Sequence, residues 1–553
     1  MIDIICKNTQ SKYTVPDSSS LAQIKDLLQL TSETPFVAAI VNNRLYDLSY
    51  QVFNPKTIEF ITISHPMASR LYLQSAILAL QKAVQDLFPE AILQVEHSLP
   101  GGLYCELKNL QYEINDDMVE TIEARIKEIF AANLVFRREI IPTEDAIALF
   151  QRKKRQDKVD MLKIQQKLYT SLCYLEDTVD YTNACLVPST GVLPQLELDF
   201  FGGKGFLVKT PKLKSQYSGF EQFSEHSKLF KVFQEYKHWL EVLHLDYISD
   251  LNRHVADGTV GDIIKISEAF QEKKIASIAD MIDKRSAVRM IFISGPSSSG
   301  KTTFSKRLGV QLQVLGYHPI VVAMDDYFVD RDKTPRLPNG EYDFETIKAL
   351  DVELFNQQMN QLLDGQEVEL PSFNFETGKR EYKGHKLRMD ERSVLVVEGI
   401  HGLNPAMSAA IEEAKKFTIY VSALTPISID AQTPIMSTDN RLLRRLVRDR
   451  RMRGVSPVNT FNRWQSVKQG EEQNIFPYQE NADVFFNSAL IYEISALKPF
   501  VEPLLNAIPE TEPAFTEARM VLDFLSYFSP IPEHEIPVTS ILREFLGGSS
   551  FIY

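Results

Sequence analysis

The stretch "FISGPSSSGKTTFSK", residues 292–306, decides the fold of the second half of the chain. It joins the end of an apolar strand, a loop between Gly295 and Gly300, and the start of a helix at Lys301. The loop fits the pattern GxxxxGK[ST], in which backbone N–H groups and a helix dipole cradle phosphate groups. A glycine-rich turn that only caps a helix is the alternative, and the strand–loop–helix context argues against it. The stretch therefore predicts a nucleoside triphosphate site.

The residues of this loop have roles that follow from phosphate chemistry. Lys301 would bridge the outer phosphates, and the hydroxyl of Thr302 would ligate Mg²⁺. We expect ATP as the triphosphate, and the predicted ATP-binding residues are Gly295, Ser297, Ser298, Ser299, Gly300, Lys301, Thr302 and Thr303.

From residue 288 onward, short apolar segments alternate with helical ones. The apolar segments are "VRMIFIS", "PIVVAMDD", "SVLVVEGI", "FTIYVSAL" and "ADVFFNSA". Nearly continuous apolar strands separated by amphipathic helices are typical of a parallel sheet that is covered on both faces. The sequence therefore predicts an α/β fold for this region.

Two of these predicted strands end in carboxylates. Glu398 ends one of them, and the pair Asp325 and Asp326 ends another. Because ligands bind at the carboxyl ends of parallel strands, both ends should face the Mg²⁺ site. A helix cap or a solvated turn is the alternative for each acid. It is less credible that two acidic strand ends in one phosphate-loop domain are both unrelated to the site.

The phosphoryl group could go to water or to a second substrate. The chain contains no NKxD motif and no second phosphate loop. "RLLRRLVRDRRMRG", residues 441–454, carries seven arginines and one aspartate between Arg441 and Arg453. Its apolar stripe predicts a helix whose arginines project from the opposite side. Such a helix can close over triphosphate and acceptor and neutralise the developing charge. An RNA-binding or solvated face is the alternative.

Residues 288–506 resemble the uridine kinase and phosphoribulokinase branch of P-loop kinases. The segments that carry the resemblance, in the family's order, are "GPSSSGKTT", "MDDYF", "YDFET", "LPSFNFETGKREY", "VLVVEGI", "RLLRRLVRDRRMRG" and "ENADVFF". The resemblance implies phosphorylation of a nucleoside at its 5'-hydroxyl, with ATP as donor and Mg²⁺ as cofactor. A kinase of another small alcohol is the alternative within enzymes. An RNA- or ribosome-associated regulatory NTPase is the alternative from another class.

The resemblance also implies residue roles. Asp325 would accept the proton of the 5'-hydroxyl, and Asp326 is the second choice for that role. A carboxylate within reach of a primary alcohol can take its proton late in a loose transition state. Asp343 would hold the ribose hydroxyls. The predicted sets are, for catalysis, Asp325, Lys301, Arg444 and Arg448; for the substrate, Asp343, Phe373, Arg441 and Tyr327; and for the metal, Thr302 and Glu398.

The chain departs from the uridine kinases around the base. The family places a tyrosine and a histidine where this sequence has Phe373 and Gly378. Phe373 can still stack on a base, but a hydrogen bond from the ring is lost. A wider and less polar pocket could admit another base, including a purine. Phe373 and Phe375 could equally be core residues.

The front half resembles part of a threonyl-tRNA synthetase. Residues 1–65 resemble its TGS domain, with Ser20 as the predicted N-cap of the helix in "SLAQIKDLLQL". Residues 66–230 resemble its editing domain through "AVQDLFPEAILQVEHSLPGGLYCEL" and "VDYTNACLVPSTG". The family's HxxxH pair is missing and Cys185 stands without a nearby histidine, so no closed tetrahedral site remains. We therefore predict no metal and no editing hydrolysis there.

The predicted organisation has five segments, because 553 residues exceed what one core usually organises. The stretch "FFGGKGFLVKTPKLKSQYSGF", residues 200–220, is predicted to be a surface loop. The segments are a TGS-like domain at 1–65, an editing-like domain without metal ligands at 66–230, a helical connector at 231–285, a P-loop nucleoside kinase domain at 286–510 and a C-terminal helical tail at 511–553.

The composition of the chain restricts its expected cellular location and its expected binding partners. The net charge of -13 argues against a nucleic-acid binder over the whole surface, although the front domains could still bind a nucleic acid. The four cysteines form no CxxC pair, which suits a reducing compartment. No signal peptide and no apolar run of membrane-spanning length is evident. We expect a cytoplasmic homo-oligomer whose partner is a nucleoside rather than a membrane.

Overall fold

The computed structural model of the protein describes residues 1–99, 102–182, 185–193, 195–209, 227–337 and 340–552. The chain begins with a five-stranded sheet of order β2-β1-β7-β4-β5, in which β1 and β7 are parallel. Ser20 caps the first helix in a capping box with Gln23, as predicted. The elements of this part are β1 (Ile2–Cys6), β2 (Ser11–Val15), β3 (Ser19–Ser20), α1 (Leu21–Leu27), β4 (Phe36–Val41), β5 (Arg44–Asp47), β6 (Gln51–Val52) and β7 (Lys56–Thr62).

Two antiparallel sheets follow, of order β13-β14-β9-β8 and β10-β11-β12. The helices α2 and α3 pack together over a shared apolar core. The elements are α2 (Ala68–Leu87), β8 (Ile92–Leu99), β9 (Gly102–Lys108), α3 (Asp116–Ala131), β10 (Arg137–Pro142), α4 (Thr143–Arg152), α5 (Gln156–Gln165), β11 (Tyr169–Leu175), β12 (Thr178–Tyr181), β13 (Glu197–Phe201) and β14 (Gly205–Lys209).

The surface loop predicted over residues 200–220 is wrong for its first half. The strands β13 and β14 pair as an antiparallel hairpin. Gly202 and Gly203 form its turn with φ of +67° and +71°, which glycine adopts without strain. The rest of the predicted loop falls in residues 210–226, outside the described residues. Residues 183 and 184 of the segment "VDYTNACLVPSTG" also lie outside them.

Three helices lead into the second half, and a parallel sheet then forms its centre. The sheet has the order β16-β19-β15-β20-β21, and its neighbouring strands are all parallel. The elements are α6 (Lys228–Leu243), α7 (Ile248–Ala256), α8 (Val260–Asp283), β15 (Met290–Ser294), α9 (Lys301–Val314), β16 (His318–Ala323), α10 (Val352–Leu363), β17 (Val368–Asn374), β18 (Lys379–Leu387), β19 (Ser393–Glu398), β20 (Lys416–Ser422), α11 (Ser437–Arg453), α12 (Pro457–Asn474), β21 (Val484–Asn487), α13 (Glu493–Asn506), α14 (Phe515–Leu525) and α15 (Arg543–Leu546).

The central strands of the parallel sheet are buried on both faces because most of their residues are apolar. Along β15, Ile291 and Ile293 join the core that contains α9, whereas Met290 and Phe292 join the core that contains α10. Successive side chains of a strand point to opposite faces, so helices cover both. This confirms the predicted α/β fold. None of the helices in the described part of the chain has the length and apolarity that crossing a membrane requires.

The five predicted segments are not separated by breaks in the core. One cluster of buried apolar residues runs from Ala146 through α8 and the parallel sheet to Leu546. It draws on the editing-like, connector, kinase and tail segments together. The segment boundaries therefore stay predictions.

The phosphate loop curls tightly beneath the sheet edge. Gly295 has a φ of +155° and Gly300 a φ of +87°, conformations that side chains disfavour. A Cβ atom at Gly295 would lie 2.0 Å from the carbonyl oxygen of Val421 on β20. These positions require glycine for steric reasons alone.

Two buried ion pairs support this loop from α11. Arg441 binds Glu471 of α12 at 2.8 Å, and Arg444 binds Glu493 of α13 at 2.6 Å. All four side chains are at most 1% exposed. Arg441 also donates to the carbonyl oxygen of Ser297 at 3.1 Å, and Glu471 accepts from its N–H at 3.0 Å. We refer to these two pairs as the arginine brace.

Breaking the arginine brace should strongly destabilise the protein, because removing one partner leaves an uncompensated buried charge. Glu493→Gln should lower the free energy of unfolding by about 3–5 kcal/mol. Denaturant unfolding in a Trp239→Phe background would follow Trp464, which lies near Arg441. The exposed Arg450→Ala on the same helix is the control, with a change of about 0.5 kcal/mol or less. Equal stabilities of the two variants would contradict a structural role for the brace.

Candidate active site

Three predicted site residues meet at one edge of the parallel sheet. The strand β15 leads into the loop that ends at Lys301, β16 leads to Asp325, and β19 ends at Glu398. In the sheet register, Glu398 lies opposite Ile293 on one side and Ala323 on the other. The carboxyl ends of these strands therefore place the cation and both acids around the phosphate loop.

Lys301 folds back onto its own loop. Its Nζ donates to the carbonyl oxygens of Gly295 at 2.9 Å and Pro296 at 3.1 Å. Burial lowers the pKa of Lys301, while the charges of Glu398 and Asp325 act in the opposite direction. Both acids thus act on the titration of Lys301, although its ammonium group forms no ion pair with either in the described part of the chain.

Thr302 and Glu398 form a pair suited to a divalent cation. The hydroxyl of Thr302 donates to the Glu398 carboxylate at 3.0 and 3.3 Å. Burial raises the pKa of Glu398 to about 7, with smaller increases from Glu544 and Asp325. A hydroxyl and a carboxylate are the oxygen ligands that Mg²⁺ prefers, and a cation would restore the charged carboxylate. The residues present therefore fit Mg²⁺.

Further ligands for such a cation would come from phosphate oxygens and water. In the described part of the chain, no group of three or more His, Cys, Asp or Glu side chains is arranged to hold a metal ion. Mg²⁺ commonly binds proteins through one or two side chains together with substrate phosphates. Thr302 and Glu398 would be the two side chains of such a site.

Asp325 and Asp326 differ in their surroundings. Asp326 accepts a hydrogen bond from the N–H of Phe373 at 3.2 Å, which fixes the strand β17. The Asp325 carboxylate meets no protein hydrogen-bond donor among the described residues. Asp325 is exposed to solvent, and desolvation by the surrounding protein raises the pKa of its carboxyl group. Lys301 and Arg448 oppose this rise. Asp325 is therefore the acid that remains available to a ligand.

Of the three arginines expected to contact phosphate, Arg448 is the one placed beside the site. Its side chain is 14% exposed, and burial lowers the pKa of Arg448 to about 10. Its charge acts on the titration of both Lys301 and Asp325. Arg441 and Arg444 are fully engaged in the arginine brace. The expectation that they project from an open face toward substrate is corrected, because both are buried behind the loop.

The structure also corrects the substrate role of Tyr327. This side chain is fully buried, and its hydroxyl donates to Gln358 at 2.8 Å inside the core. Phe373 is 6% exposed and packs edge-to-face against Phe375 at 5.2 Å. Phe375 is itself 60% exposed. The core alternative thus holds for Phe373, and Phe375 presents the accessible ring.

A second accessible ring belongs to Phe344, which is 38% exposed. Phe344 and Phe375 both pack at near right angles on Phe328, at 6.0 and 6.2 Å. We call Phe344 and Phe375 the aromatic wall. At Gly378, with φ of +68°, a Cβ atom would lie 2.7 Å from the Arg331 side chain. A histidine there would need Arg331 to move.

The segment "YDFET" carries Asp343 and also Glu345, which is not among the predicted site residues. Asp343 is half-buried, and its Oδ1 accepts from the N–H of Glu345 at 3.1 Å. Burial raises the pKa of Glu345 to about 7, and the charges of Glu471 and Asp325 add to the rise. Glu345 therefore belongs to the same acidic cluster as Asp325. Its position directly after the quoted "YDF" was the available signal.

The remaining missed residues have no local signal. Glu471, Glu493 and Glu544 are buried beside the phosphate loop, yet each lies more than 150 residues from it in sequence. His401, just after β19, is also buried, and burial lowers the pKa of His401 to about 4. It is therefore neutral at physiological pH.

In the front half, Cys185 is a buried thiol. Its Sγ donates to the carbonyl oxygen of Leu45 at 3.6 Å, and burial raises the pKa of Cys185 to about 12. His97 stacks on Phe233 with ring centroids 4.1 Å apart. Burial lowers the pKa of His97 to about 3. Both side chains are therefore buried parts of the structure of the front half.

Comparison with known proteins divides the chain in two. Residues 290–495 match the sequence model of the Phosphoribulokinase / Uridine kinase family. A uridine kinase from Staphylococcus haemolyticus is 28% identical over 196 residues, which are 35% of this chain and 85% of that protein. A threonine–tRNA ligase from Syntrophotalea carbinolica is 29% identical over 168 residues, or 30% of this chain. The chain spans 26% of that ligase.

Among solved structures, one described as a possible uridine kinase from Bacillus stearothermophilus is 20% identical. It covers 36% of this chain and 89% of its own, with a TM-score of 0.25. The matches of sequence confirm both resemblances inferred above. The C-terminal region of the chain is similar to the Phosphoribulokinase / Uridine kinase family, and its front is similar to threonine–tRNA ligases.

Proposed function

We propose that this protein is an ATP-dependent nucleoside kinase that phosphorylates the 5'-hydroxyl of its substrate. One observation carries the proposal above the others. The Asp325 carboxylate follows β16 at the same sheet edge as the phosphate loop and Glu398, and it meets no protein donor in the described residues. A carboxylate in this position could orient either water or an alcohol, and the exposed rings of Phe344 and Phe375 favour a nucleoside as the acceptor. The family match over residues 290–495 supports a kinase in general terms.

The γ-phosphoryl group would move from the β–γ bridging oxygen of ATP to the 5'-hydroxyl oxygen of the nucleoside. Asp325 orients the 5'-hydroxyl and takes its proton as the oxygen bonds to the γ-phosphorus. The bond from the γ-phosphorus to the β–γ bridging oxygen breaks, and ADP leaves. Desolvation, which raises the pKa of Asp325, makes its carboxylate a stronger base than an exposed aspartate. The proton passes to solvent when the product leaves.

The positive groups of the site would stabilise the negative charge of the phosphoryl group during its transfer. Lys301 and Arg448 lie where negative charge spreads over the transferring group, and in a partly dehydrated site this stabilisation is large. Thr302 and Glu398 would hold Mg²⁺, which when bound neutralises charge on the phosphate oxygens. The arginine brace fixes the loop, so that its N–H groups need not reorganise during transfer.

The aromatic wall is the proposed surface for the nucleoside base. Phe344 and Phe375 present exposed rings near the segment that carries Asp343. Stacking tolerates different bases because every base has a π-face. This supports a nucleoside acceptor in general without selecting a pyrimidine.

Acceptor-dependent turnover tests the function and the base together. With ATP, Mg²⁺ and a panel of nucleosides, ADP should form only when a suitable nucleoside is present. Asp325→Asn should retain ATP binding and lose roughly 10²–10⁴-fold in kcat, because the proton acceptor is gone. Asp326→Asn is the matched control and should keep most of its activity, since an amide oxygen can still accept from Phe373.

Two outcomes would contradict this assignment. Turnover that survives in Asp325→Asn and disappears in Asp326→Asn would reverse the roles of the two acids. ADP production that RNA stimulates in the absence of any nucleoside would favour the regulatory NTPase instead.

The pKa of Glu398 predicts how Mg²⁺ binding depends on pH. Below pH 7 the carboxyl is protonated, and Mg²⁺ must displace that proton. The affinity for Mg²⁺ in the presence of ATP should therefore fall by up to about tenfold per pH unit below 7 and level off above it. Calorimetry on wild type and Glu398→Gln isolates the effect, because ATP titrates equally in both.

Glu345 is the internal control for this dependence, since its pKa is also about 7. Glu345→Gln should keep the pH dependence of Mg²⁺ binding. If the dependence disappears in Glu345→Gln and persists in Glu398→Gln, the metal is held elsewhere.

The aromatic wall predicts a specific loss of acceptor binding. Base–aromatic stacking contributes about 1–3 kcal/mol per base, so Phe375→Ala should raise the KM for the nucleoside at least about fivefold. The KM for ATP should not change. Phe373→Ala should instead lower stability by about 3–5 kcal/mol, because Phe373 is buried. A nucleoside KM that is unchanged in Phe375→Ala would remove this ring from the site.

A further inference from the structure

The C-terminal segment of the chain lies directly on the phosphate loop. The helix α15 is a single turn, and Ile541 and Leu542 before it are fully buried. A Cβ atom at Gly300 would lie 2.9 Å from Cδ1 of Ile541, so the two residues are in close contact. The segment therefore covers the start of α9, although more than 230 residues separate them in sequence.

From this segment, Glu544 binds the first turn of the phosphate-loop helix. Its Oε2 accepts from the N–H of Thr303 at 3.0 Å and from the hydroxyl of Thr303 at 2.8 Å. Glu544 is buried. The first N–H groups of a helix have no partner within the helix, and the helix dipole favours an anion beside them. The carboxylate thus occupies an anion position.

This anion position coincides with the predicted phosphate site. Thr303 directly follows the residues of the loop pattern and is one of the predicted ATP-binding residues. Burial lowers the pKa of Lys301 and of Arg448, and the charge of Glu544 acts against that lowering; for Glu398 the charge of Glu544 adds to the rise in pKa that burial causes. Glu544 therefore lies in the same field as the groups that would receive the triphosphate. A carboxylate and a phosphate cannot share the donors of one threonine without strong repulsion.

The neighbours of Glu544 are fixed by contacts outside the nucleotide site. Arg543 donates to Glu533 at 3.0 Å and to the carbonyl oxygen of Ile536 at 2.6 Å. The Arg444 guanidinium lies 5.1 Å from the ring centre of Phe545. These contacts do not involve the Glu544 carboxylate, so they would hold α15 in place if that side chain rotated away from Thr303.

We propose that Glu544 is an intramolecular competitor of the triphosphate: its carboxylate holds the Thr303 donors in the free protein and withdraws when ATP binds. The C-terminal segment is then an autoinhibitory contact that weakens nucleotide binding. This inference rests on the nucleotide site of the proposed function, but it does not depend on the acceptor. A permanent helix cap that remains in place beside ATP is the competing explanation.

Nucleotide binding without any acceptor tests the competition. In the full-length protein, Glu544→Gln keeps the side-chain length and a hydrogen-bond acceptor but removes the charge. Loss of a charge-assisted contact of this type should make Mg²⁺–ATP bind about tenfold to 100-fold more tightly by calorimetry. Glu533→Gln, which alters the neighbouring ion pair of Arg543, should leave the Kd unchanged. An unchanged or weaker affinity in a folded Glu544→Gln protein overturns the proposal.

A second measurement uses the wild-type protein and avoids any folding defect of the variant. In a crystal structure with a non-hydrolysable ATP analogue, Glu544 should lie beyond hydrogen-bond distance of Thr303. Retention of both hydrogen bonds beside bound nucleotide overturns the proposal.

The two proposals fail in different ways. If ATP binds neither protein, the nucleotide site and the competition are both rejected. If Glu544→Gln binds ATP more tightly but no nucleoside is phosphorylated, the competition stands and the kinase function is rejected.

Discussion

The arginine brace is the interaction on which the rest of the site depends. Arg441 and Arg444 carry full charges in the protein interior, where only Glu471 and Glu493 compensate them among the described residues. Such pairs are costly to desolvate and strongly destabilising to break, so they fix geometry rather than add much stability. Here they connect α11, α12 and α13 to the backbone of the phosphate loop. The helix α11, whose arginine content suggested a lid, therefore supports the phosphate loop, and Arg448 near its end lies beside the proposed nucleotide site.

The loop that leads into α11 is held by the front half of the chain. The N–H of Val95 donates to Ala431 at 2.7 Å, and the hydroxyl of Tyr181 donates to Asp430, also at 2.7 Å. Lys158 lies fully buried beside the same aspartate at 3.3 Å. These contacts give the synthetase-like half a physical part in positioning the phosphate loop. Cys185 and His97 of this half both lie in buried environments.

The sequence predicted the features that depend on residues close together along the chain. The phosphate loop, the apolar parallel strands, the acidic strand ends and the Ser20 cap each follow from a few neighbouring residues. The sequence could not predict contacts between residues that lie far apart along the chain. Nothing near Arg444 indicates that Glu493 neutralises it, and nothing near Thr303 indicates Glu544. The burial of Tyr327 and Phe373 also depends on α10 and β18, which pack on them from elsewhere. The hairpin at Gly202 was missed because glycine marks turns and loops equally.

The central claim is that the phosphoryl group passes to a nucleoside oxygen and not to water. The most direct measurement follows the reaction in ¹⁸O-labelled water and analyses the phosphorylated products by mass spectrometry. The account predicts a nucleoside 5'-monophosphate that contains no ¹⁸O, formed in proportion to ADP. Inorganic phosphate that carries ¹⁸O, formed at the same rate with and without nucleoside, would contradict it.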